Sequence, residues 1–300
     1  MFEAYLFVHF LDEHTEDSEQ IYFSVSEDGM RWRTLNNARP VLKSRLGERG
    51  VRDPHILRTP DGEKFYMVAT DLSIYYNGDW KRAVQRGSQS IMIWESTDLV
   101  NWSEQRMVKV APDDAGCTWA PESIYDKDAG DYMVFWASTV KSDHYSKQRI
   151  YCAKTTDFKQ FSSPQLYIEK ENHIIDTTFI EHDGKYYRFS KDETHKSIIM
   201  EVGETLMGTF APVDGFSMLN VVGYEGPTCY KINGQDKWCL LLDAYAARQG
   251  YKAFVTDDLA TGHFEAAMSE FITPFKFRHG TVMPITRKEY NRLIEAYGVK

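Results

Sequence analysis

The chain has 300 residues, 42% hydrophobic and 26% charged, and 35 basic against 44 acidic side chains leave a formal net charge of −9. This composition excludes wholesale disorder, and the negative charge argues against nucleic acid or an anionic membrane as partner. No apolar run approaches the ~18–20 residues needed to span a bilayer.

The opening stretch, MFEAYLFVHFLDEH, lacks the basic n-region and small-residue cleavage site of a secretory leader. The expected compartment is the cytoplasm, or the exterior for a chain whose leader has been removed. Cys117, Cys152, Cys229 and Cys239 show no zinc or C-x-x-C spacing. Reduced, buried thiols are expected, which favours the cytoplasm. Aromatic residues reach 14%, as suits pleated β-structure with some rings left for a ligand.

In chain order, Ala4–Phe10 and Gln20–Ser26 read as strands. Short apolar strands then begin at Asp53, Ala120, Asp176, Gly226 and His279. The first four run into turns at Pro60-Asp61-Gly62, Asp128-Ala129-Gly130, Asp183-Gly184 and Asn233-Gly234, where glycine supplies the positive φ of a tight hairpin. Aromatic-rich second strands follow at Lys64, Asp131, Lys185 and Lys237. A third signal recurs: Ser or Thr, any residue, Asp, then an aromatic, at Ser26/Asp28/Trp32, Ser96/Asp98/Trp102 and Thr155/Asp157/Phe161. A looser copy runs from Thr256 and Asp258 to Phe264. Each Asp is expected to close a turn between third and fourth strands.

The last strand has no partner after it. A helix from Thr286 to Tyr297 follows, with Thr286 and Glu289 as a capping box and Gly298 as the stop. The missing strands lie at the N-terminus. A four-stranded unit repeated radially, closed by both chain ends in one blade, predicts an all-β, five-bladed propeller. No Pro/Gly/Ser-rich linker divides it, so residues 1–300 are expected to form one domain.

The first strand of each propeller blade lines the central channel. Asp53, Asp176, Glu225 and His279 lie at or beside four of the five starts, and Glu122 lies two residues past the fifth. Carboxylates around one funnel suit glycoside hydrolysis, which needs one protonated acid and one ionised base. Crowding by a further carboxylate and partial burial raise the acid's pKa.

The strings Arg52-Asp53-Pro54, Trp119-Ala120-Pro121-Glu122, Ile175-Asp176-Thr177 and Glu225-Gly226-Pro227 resemble the blade-start motifs of glycoside hydrolase family 43. Members are five-bladed propellers that act on arabinose- and xylose-containing glycans. The resemblance implies Asp53 as general base, Glu225 as general acid and Asp176 as the residue that tunes and orients the acid. It further implies inversion and a histidine at 279 near the axis, beside a hydrated calcium ion; no other cofactor is required. Glu122 departs from the usual Asp, and Thr177 from the usual Pro.

Trp119, Glu122, Arg278 and His279 are the expected sugar contacts. The expected reaction is removal of terminal α-L-arabinofuranosyl or β-D-xylosyl units from an oligosaccharide. A glycan-binding propeller without turnover, a glycoside phosphorylase and a β-fructosidase are the alternatives. The insertion Asp71–Gln89 and the loops Ser142–Lys147, Asp192–His195 and Ala244–Gly250 stand either at the mouth or at the opposite rim.

Overall fold

Five antiparallel sheets of four strands radiate from one axis in the computed structural model, which describes residues 1–299. From the inside outward, blade one is Val51–Arg58, Phe65–Asp71, Ser90–Ser96 and Arg106–Lys109. Blades two to four begin with Trp119–Asp126, Ile174–His182 and Glu225–Lys231. Blade five places Arg278–Ile285 beside Ala4–Phe10, Tyr22–Ser26 and Arg33–Thr34. Each inner strand touches the next, and that of blade five touches that of blade one, so the ring closes. Closure leaves no inner edge unpaired.

The core is divided. Five apolar clusters each lie between two neighbouring blades, as with Leu6, Phe23, Met67 and Trp94 between blades five and one. Helix Arg287–Tyr297 starts on the expected capping box and lays Tyr290 and Leu293 into that same cluster. The Ser/Thr-x-Asp signals are the expected turns: the Ser96 hydroxyl accepts the Asp98 and Leu99 amides, and Asp98 accepts those of Val100 and Asn101. All four cysteines are free and buried. No helix among the described residues is long and apolar enough to cross a membrane.

One feature of the inner strands bears directly on the site. Pairing with the second strand slips between Arg52 and His55, Trp119 and Glu122, Ile175 and Thr178, and Glu225 and Thr228. Each slip is a β-bulge with one residue in the left-handed region: Asp53 (φ 50°), Ala120 (46°), Asp176 (49°) and Gly226 (53°). In blade five the slip falls at His9/Phe10, and it leaves His279 out of register.

Candidate active site

The bulges turn the strand-start side chains out of the pleat and toward the axis. His279 stands at the centre. Its Nδ1 lies 2.9 Å from Asp53 Oδ1, and its Nε2 lies 3.0 Å from Glu225 Oε1. Asp176, Glu225 and His279 offer polar atoms within 4.8 Å of one another. Four of the seven predicted residues therefore need the ring to meet: Asp53, Asp176, Glu225 and His279.

Neighbouring blades hold each carboxylate. Thr70, on the second strand of blade one, donates to Asp53 Oδ2 at 2.8 Å and accepts the Ala120 amide at 2.8 Å. Asp176 Oδ2 accepts the Gly226 amide at 3.1 Å. Glu225 receives Lys191 Nζ on Oε2 and Arg278 Nη2 on Oε1, both at 2.6 Å. Arg278 also donates to Asp243 at 2.8 Å, and Lys191 lies over the Tyr245 ring at 4.1 Å. Gly226 is obligatory here, because a Cβ would fall 2.5 Å from His279 Cδ2.

The charges sort themselves by surroundings. Burial alone would lower the His279 pKa, but Glu225, Asp176 and Asp53 outweigh it and push it up to about 10. Burial would raise Asp53, yet His279, Arg52 and Thr70 hold it below the ordinary carboxylate range. The same contest at Glu225 ends well below that range, through His279, Lys191 and Arg278. Asp176 goes the other way: burial lifts it to about 6, with His279 opposing and Glu225 adding to the rise. Asp176 and Glu225 thus titrate as a pair, in which burial raises Asp176 and the neighbouring cations lower Glu225.

Above this floor opens a cleft of about 1090 Å³. All four segments whose side was open contribute to it, through Trp80, Tyr145, Glu193 and Tyr245 among others. The insertion forms two short helices, Ile74–Asn77 and Trp80–Gln85. Buried Glu19 pins the first, accepting from Ser73 Oγ and the amides of Ile74 and Tyr75 at 2.8–3.0 Å. Glu19 also binds Arg52 at 3.0 Å, and Arg52 lies over Phe10 at 4.6 Å and Trp80 at 5.2 Å. Trp80 meets Trp119 edge to face at 6.1 Å, and both line the cleft, as do Arg278 and His279.

Two expected features meet a different arrangement. Glu122 does not line the cleft. It lies past the bulge of blade two and faces the channel beneath, 3.4 Å from His55, where burial holds its carboxyl well above the ordinary range. The residues also do not fit a calcium ion ligated by His279. Both imidazole nitrogens face carboxylates, and Lys191 and Arg278 already occupy the two oxygens of Glu225. Calcium asks for about six to eight oxygen ligands. The space under His279 measures about 20 Å³, room for about one water.

Asp243, Thr70 and Lys191 are members of the site that the strand-start pattern did not single out as its residues. A signal existed. Second strands end in Asp71, Asp192 and Asp243, each paired with the start of its inner strand. In blades one and three, the preceding residue, Thr70 or Lys191, reaches the inner strand of the next blade.

Comparison with known proteins agrees with the fold. A family model described as a probable glycosyl hydrolase domain, related to glycoside hydrolase family 43, matches residues 1–291. An α-L-arabinofuranosidase of Bifidobacterium longum is 30% identical over 274 residues, covering 76% of this chain. The match spans only 25% of that relative's length. The catalytic domain of a Coprinopsis cinerea α-L-arabinofuranosidase of family GH62 superposes with a TM-score of 0.56 at 13% identity, covering 77% of this chain and 72% of its own. An exo-β-1,3-galactanase of Clostridium thermocellum gives 0.55 at 16%, covering 71% and 48%. A match running almost from end to end, on a ring that gathers carboxylates at its axis, means that the chain belongs to the glycosyl hydrolases related to family 43.

Proposed function

We propose that the protein removes terminal α-L-arabinofuranosyl or β-D-xylosyl units from plant-type oligosaccharides with inversion, by direct attack of water. Asp53 takes the proton of that water, Glu225 protonates the departing oxygen, and Asp176 supplies and holds the proton of the acid pair. The observation that carries the reading is the placement of Asp53 and Glu225 on opposite nitrogens of one imidazole. An imidazole's width plus two contacts suits the about 6.5–9.5 Å that an inverting pair leaves for water.

The electrostatics favour Asp53 as the base; in the acid pair it is Asp176, not Glu225, whose carboxyl is raised. Asp53 is held ionised, as a base must be. Glu225 is held ionised in the free protein by three cations. A glycosidic oxygen that enters beside Glu225 and loosens its Lys191 or Arg278 contact draws the pair's proton across from Asp176. The 30% identical arabinofuranosidase favours arabinose as the sugar.

Asp53→Asn and Glu225→Gln are each expected to lower kcat on a natural arabinoside by about 10²–10⁴-fold. The first-formed anomer, followed by proton NMR, is expected to be the inverted one. Parent-like turnover by Glu225→Gln on an unactivated linkage would remove Glu225 from the role of acid.

A further inference from the structure

Six lysine and arginine side chains line the cleft, and four of them are neutralised. Arg52 pairs with Glu19, Lys191 with Glu225, Lys196 with Glu193 and Arg278 with Asp243. Arg248 and Lys276 differ. Both are exposed, and neither has a carboxylate partner among the described residues.

They come from two segments that the fold brings together. Arg248 follows the one-turn helix Tyr245–Ala247, in the left-handed region at φ 53°. The Ala244 amide donates to the Gly250 carbonyl at 3.0 Å and closes that loop. Lys276 lies just before the inner strand of blade five. Gly250 touches it so closely that a Cβ there would stand 3.1 Å from Lys276 Cα. Asp12 is the one acid of the lining, outside the catalytic cluster, without a cation partner among the described residues; it accepts the His14 amide at 2.9 Å.

We propose that Arg248 and Lys276 form an anion-binding rim, by which the cleft selects glycans carrying a carboxylate on a sugar next to the one released. The proposal rests on reading the cleft as the glycan site. A net charge of −9 repels an acidic polymer at a distance. Recognition therefore needs local cations whose charge is not already spent, and these two are the cleft's free ones. The guanidinium fork of Arg248 matches a carboxylate in two parallel hydrogen bonds, with Lys276 adding a point charge beside it. Two cations fit a single uronic acid rather than a run of phosphates.

The probe is an arabinose-substituted polysaccharide that contains uronic acid, set against the same polymer after reduction of its carboxyls to alcohols. Reduction keeps the shape and removes the charge. The ratio of kcat/KM, acidic to reduced, is expected on the order of tenfold at low salt. It is expected to shrink as salt approaches about 0.5 M, where charges more than a few ångström apart are screened.

Arg248→Ala combined with Lys276→Ala brings the ratio to about one, whereas Arg248→Lys with Lys276→Arg retains it. A ratio of about one in the parent protein overturns the proposal, as does a preference that survives the double alanine substitution. Binding of both polymers to Asp53→Asn, followed by affinity electrophoresis, reads the same preference without turnover. Preferential binding of the acidic polymer, where the parent protein releases no arabinose from either polymer, supports the rim and overturns the arabinoside reading. Equal binding overturns the rim.

Discussion

His279 carries a proton it has no intrinsic reason to keep. Its ordinary pKa is 6.5, burial would lower it further, and the surrounding carboxylates move it to about 10. Because the folded value is the higher one, the stability it contributes is complete below about pH 6.5 and is lost as pH climbs through about 10. His279→Gln is expected to flatten the loss of stability across that alkaline window, measured by urea unfolding at a series of pH values. An unchanged alkaline slope in the variant would mean that other groups set it.

Asp176, also raised, follows the same sign: its contribution to stability is complete below about 3.8 and lost as pH rises through about 6. The two titrations separate in activity. If the departing oxygen receives the pair's proton, kcat/KM falls as pH rises past about 6. Asp53, held below the ordinary range, sets the acid limb. Asp176→Asn is expected to abolish or displace the upper limb while the acid limb stays. A parent profile flat from about pH 5 to about 8 would detach Asp176 from the acid's proton.

At the scale of the strand, the bulge does the positioning. A left-handed residue costs a non-glycine side chain on the order of 1 kcal/mol or more, and three inner strands accept that cost at Asp53, Ala120 and Asp176. The fourth uses glycine because His279 fills the place of its side chain. Gly226→Ala is thus expected to lower stability by about 2–4 kcal/mol, through positive φ and the displaced imidazole together. Its activity is expected to fall further than stability alone explains, since His279 orients both Asp53 and Glu225. Ala120→Gly, with the same φ but no catalytic side chain, serves as the control in thermal unfolding and assay. Equal activity in the two variants would break the link between the bulge and the imidazole.

The same bulges explain what was legible in the chain. Strand starts, hairpin glycines and Asp turns are local signals, and all appear where the repeat put them. Asp53, Asp176, Glu225 and His279 meet because they occupy equivalent places in that repeat. Glu122 faces the channel beneath the cleft because a one-residue bulge shifts the facing of every side chain after it. Asp243 stands outside the strand-start pattern: it lies at the end of a second strand, and only the pairing Glu225↔Asp243 brings it to the axis. The side on which the long loops stand depends on the ring itself.

The whole molecule makes the site conditional on closure. Arg278–Ile285 carries His279 and also Arg278, which binds Glu225, yet its partner Ala4–Phe10 is the other end of the chain. The register runs from Ala4↔Ile285 to His9↔Gly280 and then slips by one, which releases His279 inward. Gly280 permits the approach, for a Cβ there would come 2.0 Å from the Val8 carbonyl. Leu6 sits fully buried in this closing strand, opposite Met283, in the cluster that joins blades five and one. Leu6→Ala is expected to cost about 2–5 kcal/mol. If closing the ring and assembling the site are one event, heating this variant removes tryptophan burial and activity in a single shared transition, both shifted down from the parent. Were activity to vanish well below the temperature at which fluorescence changes, the closing blade would open on its own. Closure would still be the condition for His279, Asp53 and Glu225 to meet, but it would be a local event, separate from the unfolding of the other blades.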